Sequence, residues 1–323
     1  MAIVDVLIPT YNRASSLRIA LESLQKQTLT DFRAFIGDNC SSDDTQEIAT
    51  SLCKKDPRFR YLRHNTNLGP VKNGQKLLEL SDSPYVCSLF DDDWLESQFL
   101  EHSIADLEGH PTAAMVFSRI IKHKDGGQVF WPPPPGVNCS KLLKKGELFS
   151  MLLEEDIIPC PTVVTRQGIH RRYNLNEQGF RSGDYLLWLR IANEHDVYYL
   201  HECLYNYRVH PGQDSGDPLV MGRDNVAMLT YAAQLPEFHP NQQALIRARY
   251  RQARFACVNL MVAGRRKEAF LFTHEYGQST RDRVMQLQFF SFMALLYSYL
   301  PLFAQRGLKR GRRILMGWKY NKK

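Results

Sequence analysis

The sequence predicts an α/β fold, a mostly parallel sheet with helices on both faces, followed by a helical C-terminal region. Three observations carry this. Short apolar runs alternate with amphipathic stretches of about ten residues through the first third of the chain. Polar clusters close the apolar runs, and in open parallel sheets ligands bind at the carboxyl ends of strands. After about position 222 strand signals vanish and helical pattern dominates.

The elements follow in order. Residues 2–9 read as a strand that runs into Thr10-Tyr11-Asn12-Arg13. Residues 16–26 read as a helix, with Leu17, Ala20, Leu21 and Leu24 on one face. A short strand at 32–37 ends in Asp38-Asn39. Asp44 and Glu47 fit a loosely drawn capping box that opens a helix to about Cys53. A third strand is expected at 60–63 and a helix at 71–80. The run 85–90 is a fourth strand, closed by Asp91-Asp92-Asp93. A helix at 95–107 and a strand at 113–121 complete the alternation. Residues 122–140 look irregular, with Gly126-Gly127 marking a hairpin turn and Trp131-Pro132-Pro133-Pro134-Pro135 forced to be extended. Helices at 147–153 and 184–193, strands at 197–200 and 204–209, and a flexible loop at 210–218 follow. This divides the chain into an α/β domain at 1–221 and a helical region at 222–323.

Composition bounds the function. The chain has 323 residues, 44% of them hydrophobic and 23% charged, as in an ordinary globular core. Seven scattered cysteines without a CxxC pair argue against a disulfide framework or zinc site, and for a reducing compartment. The opening Met-Ala-Ile-Val-Asp-Val lacks the basic and apolar regions of a signal peptide. The net charge is +7, yet residues 306–323 alone carry +8 and the rest sums to −1. A basic tail of this kind suits an anionic membrane surface, and the body disfavours nucleic acid. Just before it, residues 284–305 are uncharged. Gln288, Ser291, Ser298 and Gln305 form a polar stripe there, and Pro301 lies inside, so an interfacial or packed helix fits better than a full span. No P-loop, Rossmann glycine fingerprint or HExxH occurs.

The aspartate triplet carries the most chemistry. Carboxylates stacked at the end of a buried strand repel one another and cost free energy when desolvated. A divalent cation reverses that balance, and Mg²⁺ and Mn²⁺ take carboxylate ligands and bridge to phosphate. The plain alternative is a solvated acidic loop.

The ordered set of motifs resembles the inverting family 2 glycosyltransferases of GT-A fold. It comprises Pro9-Thr10-Tyr11-Asn12-Arg13, Gln27-Thr28, Gly37-Asp38-Asn39 through Thr45, and Asn67-Leu68-Gly69. The aspartate cluster, Ser182-Gly183-Asp184-Tyr185 with Trp188, and Tyr207-Arg208-Val209-His210 complete it. The resemblance implies a nucleotide-sugar site built from Pro9, Thr10, Tyr11, Arg13, Asp38, Asn67, Gly69, Asp91 and Asp92, with Asp38 accepting from a uracil N–H. It implies a metal, Mn²⁺ or Mg²⁺, near Asp93, Asp92 and His210, with the register within the triplet left open. Asp184 is the implied general base, the alternative being an N-cap. The implied partners are a UDP-linked sugar donor and a glycan or lipid-linked acceptor, at the inner face of the plasma membrane. A nucleotidyltransferase and a silent membrane-bound scaffold are the competing readings.

Overall fold

The structure, a computed structural model, describes residues 2–173, 178–210, 213 and 216–277. Two compact units emerge. The first comprises residues up to Leu152, Asp156–Gly179 and Gly183–His210, and the second Leu153–Glu155, Phe180–Ser182 and the described residues beyond His210.

The first unit opens with β1 (Val4–Thr10), α1 (Ala14–Gln25), β2 (Phe32–Asp38), α2 (Thr45–Lys55), β3 (Phe59–Arg63), α3 (Pro70–Leu80) and β4 (Tyr85–Ser88). Strand periodicity sorts β1 between two cores. Val4, Val6 and Ile8 face a large cluster with Leu17, Leu21 and Leu24 of α1 and Ala49 of α2, whereas Leu7 turns to Leu77 of α3 and Val86. The expected helices on both faces are therefore present. Gly37 lets α3 come close: a Cβ there would meet Asn73 Oδ1 at 2.6 Å and a Leu77 methyl at 2.9 Å.

Then come β5 (Trp94–Leu95), α4 (Phe99–Gly109), β6 (Ala113–Lys124), β7 (Gly127–Phe130), β8 (Lys141–Leu143), α5 (Glu147–Leu152), β9 (Val164–Arg166), α6 (Gln167–Arg172), α7 (Gly183–Glu194) and β10 (Asp196–Arg208). The sheet order is β3-β2-β1-β4-β9-β6-β10-β5, with β7 on β6 and β8 on β10. Strands β1 to β4 pair in parallel, as do β6 and β10. Between them β9 is antiparallel to both β4 and β6. Two reversals cancel, so β6 and β10 run in the direction of β4. The carboxyl ends of β1, β2, β4 and β10 thus share one edge.

Several expectations need correction. The helix foreseen over 95–107 starts at Phe99, because Trp94 and Leu95 pair with Asn206 and Tyr205 of β10. Asp44 makes no side-chain cap, so the proposed capping box is absent; Asp43 instead accepts from Thr45 N–H at 3.1 Å and Ala14 N–H at 2.9 Å. The strands foreseen at 197–200 and 204–209 are one strand, irregular in register between Leu200 and Tyr205. The hairpin turn expected at Gly126-Gly127 is present, and the strands it joins take up part of the segment read as irregular. β6 continues to Lys124, and Asp125 and Gly126 turn the chain with φ of 51° and 76°, next to the expected glycine pair.

The second unit contains α8 (Pro218–Ala232), α9 (Gln242–Val262) and α10 (Arg266–Gly277), the helical pattern foreseen after 222. Asp217 caps α8 through Leu219 N–H at 2.8 Å. Val226, Ala256, Leu260 and Phe272 form its core. Among the described residues no helix is long and apolar enough to cross a membrane. The uncharged stretch 284–305 and the basic tail 306–323 lie outside the described residues.

Candidate functional site

Strand direction gathers the sequence-predicted residues at one edge. Pro9 and Thr10 end β1, in register with Gly37 and Asp38 at the end of β2. Thr10 C=O accepts from Asn39 N–H at 2.9 Å, which ties the two loops. Tyr11 follows with 45% of its surface exposed, an open ring face beside the loops. Asn12 adopts φ 51°, and its Oδ1 accepts from Ser42 N–H at 2.7 Å. That fixed turn aims Arg13 across the edge.

Arg13 meets the triplet. Its Nη1 donates to Asp91 Oδ1 at 3.0 Å and also to Asp92 Oδ2. On the other side of Asp92, His210 Nε2 lies 2.9 Å from the same Oδ2. Asp93 faces inward and is 1% exposed. Its Oδ1 accepts from Arg208 N–H at 2.8 Å and its Oδ2 from Tyr205 O–H at 3.1 Å. Arg208 Nε donates in turn to Asp92 C=O at 3.0 Å, and its guanidinium lies 5.3 Å from the Trp94 ring centre. Sequence reasoning did not assign roles to Tyr205 and Arg208. Their strand meets the triplet through a pairing 110 residues away in sequence, which no local pattern displays.

The electrostatics follow from this packing. Burial pushes the Asp93 carboxyl up to about 7; repulsion from Asp92 and Asp91 adds to it, while the donors Arg208 N–H and Tyr205 O–H oppose it. Burial also raises Asp91, against the pull of the Thr10 hydroxyl and Arg13. Tyr205 is raised by burial and by the neighbouring Asp93 charge. A carboxylate held near 7 is one that an added cation would ionise.

Among the described residues no three His, Cys, Asp or Glu side chains converge on one metal position. Mg²⁺ and Mn²⁺ sites on phosphate substrates need only one or two protein ligands, the phosphates and water supplying the rest. Asp92 Oδ2 and His210 Nε2, already side by side, are a hard oxygen and an imidazole nitrogen that fit such a cation.

A second network surrounds Asp38, which is fully buried. Its Oδ1 accepts from Ser41 N–H at 2.8 Å; its Oδ2 accepts from Tyr61 O–H at 2.6 Å and Arg63 Nη1 at 3.0 Å. Burial and the Asp38 charge push the Tyr61 phenol up to about 12. Asn39 Nδ2 donates to Asn67 Oδ1 at 2.8 Å, and Leu68 N–H donates to Asn39 Oδ1 at 2.7 Å. Gly69, at φ 82°, begins α3 with open space around it, and its N–H also reaches Asn67 Oδ1 at 2.8 Å.

Asp184 stands in a third neighbourhood, half-buried in the first turn of α7. Its Oδ1 accepts from Tyr185 N–H at 2.9 Å. The Cys160 thiol hydrogen-bonds to the same carboxylate, and burial together with the Asp184 charge raises that thiol. The sequence carried no signal for Cys160. The helix behind Asp184 is apolar nearly all round, with Tyr185, Leu187, Leu189 and Ile191 buried, so the first turn is rigidly set.

The chain shows clear likeness to known proteins. The profile of glycosyl transferase family 2 matches residues 5–173, just over half of the chain. An uncharacterised glycosyltransferase of Methanocaldococcus jannaschii is 26% identical over 216 residues, 66% of this chain and 72% of its own length. The GalNAc(5)-diNAcBac-PP-undecaprenol beta-1,3-glucosyltransferase of Campylobacter jejuni is 27% identical, over 64% of this chain and 64% of its own length. Among solved structures, S. aureus TarS in complex with UDP-GlcNAc superposes with a TM-score of 0.66 at 20% identity, covering 89% of this chain and 84% of that one. At that identity the likeness is one of fold, the GT-A glycosyltransferase fold. By its profile match and its architecture, this chain belongs to glycosyl transferase family 2.

Proposed function

We propose that this glycosyltransferase moves one sugar, with inversion, from a UDP-linked donor to a hydroxyl of a glycan or lipid-linked acceptor in surface polysaccharide synthesis. The observation that carries the reading is the shared edge: the ends of β1, β2, β4 and β10 bring Thr10, Asp38, the aspartate triplet and His210 together. The Campylobacter relative is named for an undecaprenol-linked acceptor, and TarS was solved with UDP-GlcNAc; both support the donor and acceptor classes chosen here.

In this reading each network has one task. Asp38 accepts from the base N–H. Its carboxylate is enclosed by Ser41, Tyr61 and Arg63, so the base N–H takes the place of the Arg63 donor, whose side chain is 35% exposed. Tyr11 lends its exposed ring to the base, and the Asn67–Gly69 turn shapes the pocket wall. Arg13 and Asp91 stand beside the diphosphate and ribose. Asp92 and His210 would hold Mn²⁺ or Mg²⁺, which supplies Lewis-acid neutralisation of the leaving diphosphate. Both oxygens of Asp93 are already engaged, so Asp93 acts from behind, adding negative charge and fixing Arg208 and the end of β10. Asp184 takes the proton from the acceptor hydroxyl as that oxygen attacks the anomeric carbon.

The test is thermal stabilisation. UDP with Mn²⁺ is expected to raise Tm by more than the sum of either alone, and GDP to do less. No shift with any nucleotide sinks the reading and leaves a silent scaffold. A shift with nucleoside triphosphate but not with UDP or UDP-sugars points to a nucleotidyltransferase instead. A screen of nucleotide sugars for donor hydrolysis then names the sugar.

The charge pattern of the chain end supports a peripheral site at the inner face of the plasma membrane. Residues 306–323 carry +8, and each such charge near anionic lipid contributes on the order of 1 kcal/mol. Full-length protein is expected to sediment with anionic vesicles and to be partly released by salt. Deleting 284–323 is expected to abolish sedimentation while sparing donor hydrolysis. Equal sedimentation of both forms removes the membrane assignment.

A further inference from the structure

The position between Asp91 and Asp92 is already filled by a cation. Arg13 bridges both carboxylates from one side, while His210 approaches Asp92 Oδ2 from another at 2.9 Å. The base of this arginine is pinned. Asn12 N–H donates to Ser41 Oγ at 2.9 Å and Asn12 Oδ1 accepts from Ser42 N–H, so the turn does not move with the side chain. The Arg13 side chain is not buried: it is 37% exposed, against 7% and 14% for its two partners. A guanidinium on a fixed base with a solvent-facing flank can leave its carboxylate without disturbing the fold. Arg33 makes the contrast. It forks onto the fully buried Asp5, whose carboxylate also takes Ser81 O–H, Asp82 N–H and Ser83 N–H and so has no exposed surface.

We propose that Arg13 is the resident counter-ion of the cation site: it neutralises Asp91 and Asp92 while the site is bare, and releases Asp92 when a divalent cation arrives with a nucleoside diphosphate. This rests on the metal reading given above and adds an order of events to it. Without nucleotide, Arg13 competes with the metal for Asp92 Oδ2, so metal alone binds weakly. With nucleotide, the diphosphate offers the freed guanidinium a new anion, and the competition ends. By reciprocity the same coupling makes UDP bind more tightly when metal is present. Arg13 is then a positioning residue that keeps a closely spaced acidic triplet stable between turnovers and makes donor and metal arrive together.

The experiment measures Mn²⁺ binding to the full chain by the electron paramagnetic resonance signal of free Mn²⁺, with and without UDP. Arg13→Met, which keeps the length and removes the charge, is expected to bind Mn²⁺ alone about tenfold more tightly than wild type, or better. Arg13→Lys keeps a cation and is expected to stay within about threefold of wild type. The gain in Mn²⁺ affinity on adding UDP is expected to be smaller in Arg13→Met than in wild type, because no competitor is left to displace. If Arg13→Met does not fold, Arg13→Gln carries the same expectation with its polar contacts partly kept. Should the neutral variants bind Mn²⁺ no more tightly while wild type binds it with UDP, Arg13 is a fixed member of the site; the counter-ion proposal fails and the metal reading stands. If no form binds Mn²⁺ even with UDP, both fail.

Discussion

Replacing Asp184 by Asn is expected to lower kcat by about 10²–10⁴-fold, the usual contribution of a positioned general base. Donor binding and fold should survive. The amide keeps the shape of the carboxylate, and its oxygen can still accept the Tyr185 N–H that sets the side chain. What it loses is the capacity to take a proton. Because the acceptor hydroxyl is a poor nucleophile until that proton leaves, the loss should fall on kcat and spare the affinity for UDP. Steady-state rates beside UDP titration separate the two. A variant with the wild-type rate would show that Asp184 only caps α7. Circular dichroism and a melting curve establish that the comparison is made on folded protein.

Asp93→Ala is expected to remove most activity and to weaken UDP binding far more in the presence of Mn²⁺ than in its absence. The reason is the double engagement of this carboxylate. Its removal unties Arg208 N–H and Tyr205 O–H together and takes one negative charge from the surroundings of Asp92. Equal UDP affinity in wild type with and without metal, or full activity in the variant, would contradict this. The raised pKa of Asp93 adds a pH signature. An unfolded Asp ionises near about 4, whereas Asp93 in the folded protein does so at about 7. Between those values the native state holds a proton that the unfolded state lacks. Metal-free stability should therefore be fully present below about pH 4 and fall as pH rises towards and through 7. Asp93→Asn, which does not titrate and keeps one oxygen to accept the Arg208 N–H, should remove that fall. Denaturant titrations at pH 5 and pH 8, compared between the two proteins, measure it.

Much of the first half of this fold was legible because its signals are local. The alternation around Val4, Val6 and Ile8, the helix face of Leu17, Leu21 and Leu24, and the carboxylates closing the strand at Tyr85 all lie within one element each. The strand ends duly share an edge. What escaped was set by partners far away in sequence. Trp94 and Leu95 are a two-residue strand only because Tyr205 and Asn206 lie beside them. β9 has three residues, too few to show a period, and its reversed direction comes from lying between β4 and β6. At the site, the residue types of the triplet were readable but their orientation was not. Asp92 turns to Arg13 and His210 while Asp93 turns inward, a choice made by Tyr205 and Arg208. Likewise nothing near Asp38 in the sequence announces that Tyr61 and Arg63 will hold it.

The clamp between Asp93 and Arg208 also has a meaning for how the protein is made. A ribosome delivers Asp93 more than a hundred residues before it delivers Arg208 and Tyr205. At the usual pace of about 5–20 residues per second, that is an interval of several seconds or more. During it, β1, β2, β3 and β4 can already pair, since all their partners have emerged. The triplet, by contrast, has neither its phenol nor its backbone donor, and His210 is still to come. The nascent chain therefore has a sheet long before the triplet has its partners. In pulse-labelled refolding, the Arg208 amide should gain protection from exchange after the amides of β1 and β2, and the reverse order would refute this sequence of assembly. The charged centre is thus complete only once the end of β10 has emerged from the ribosome, long after β1 has met its partners.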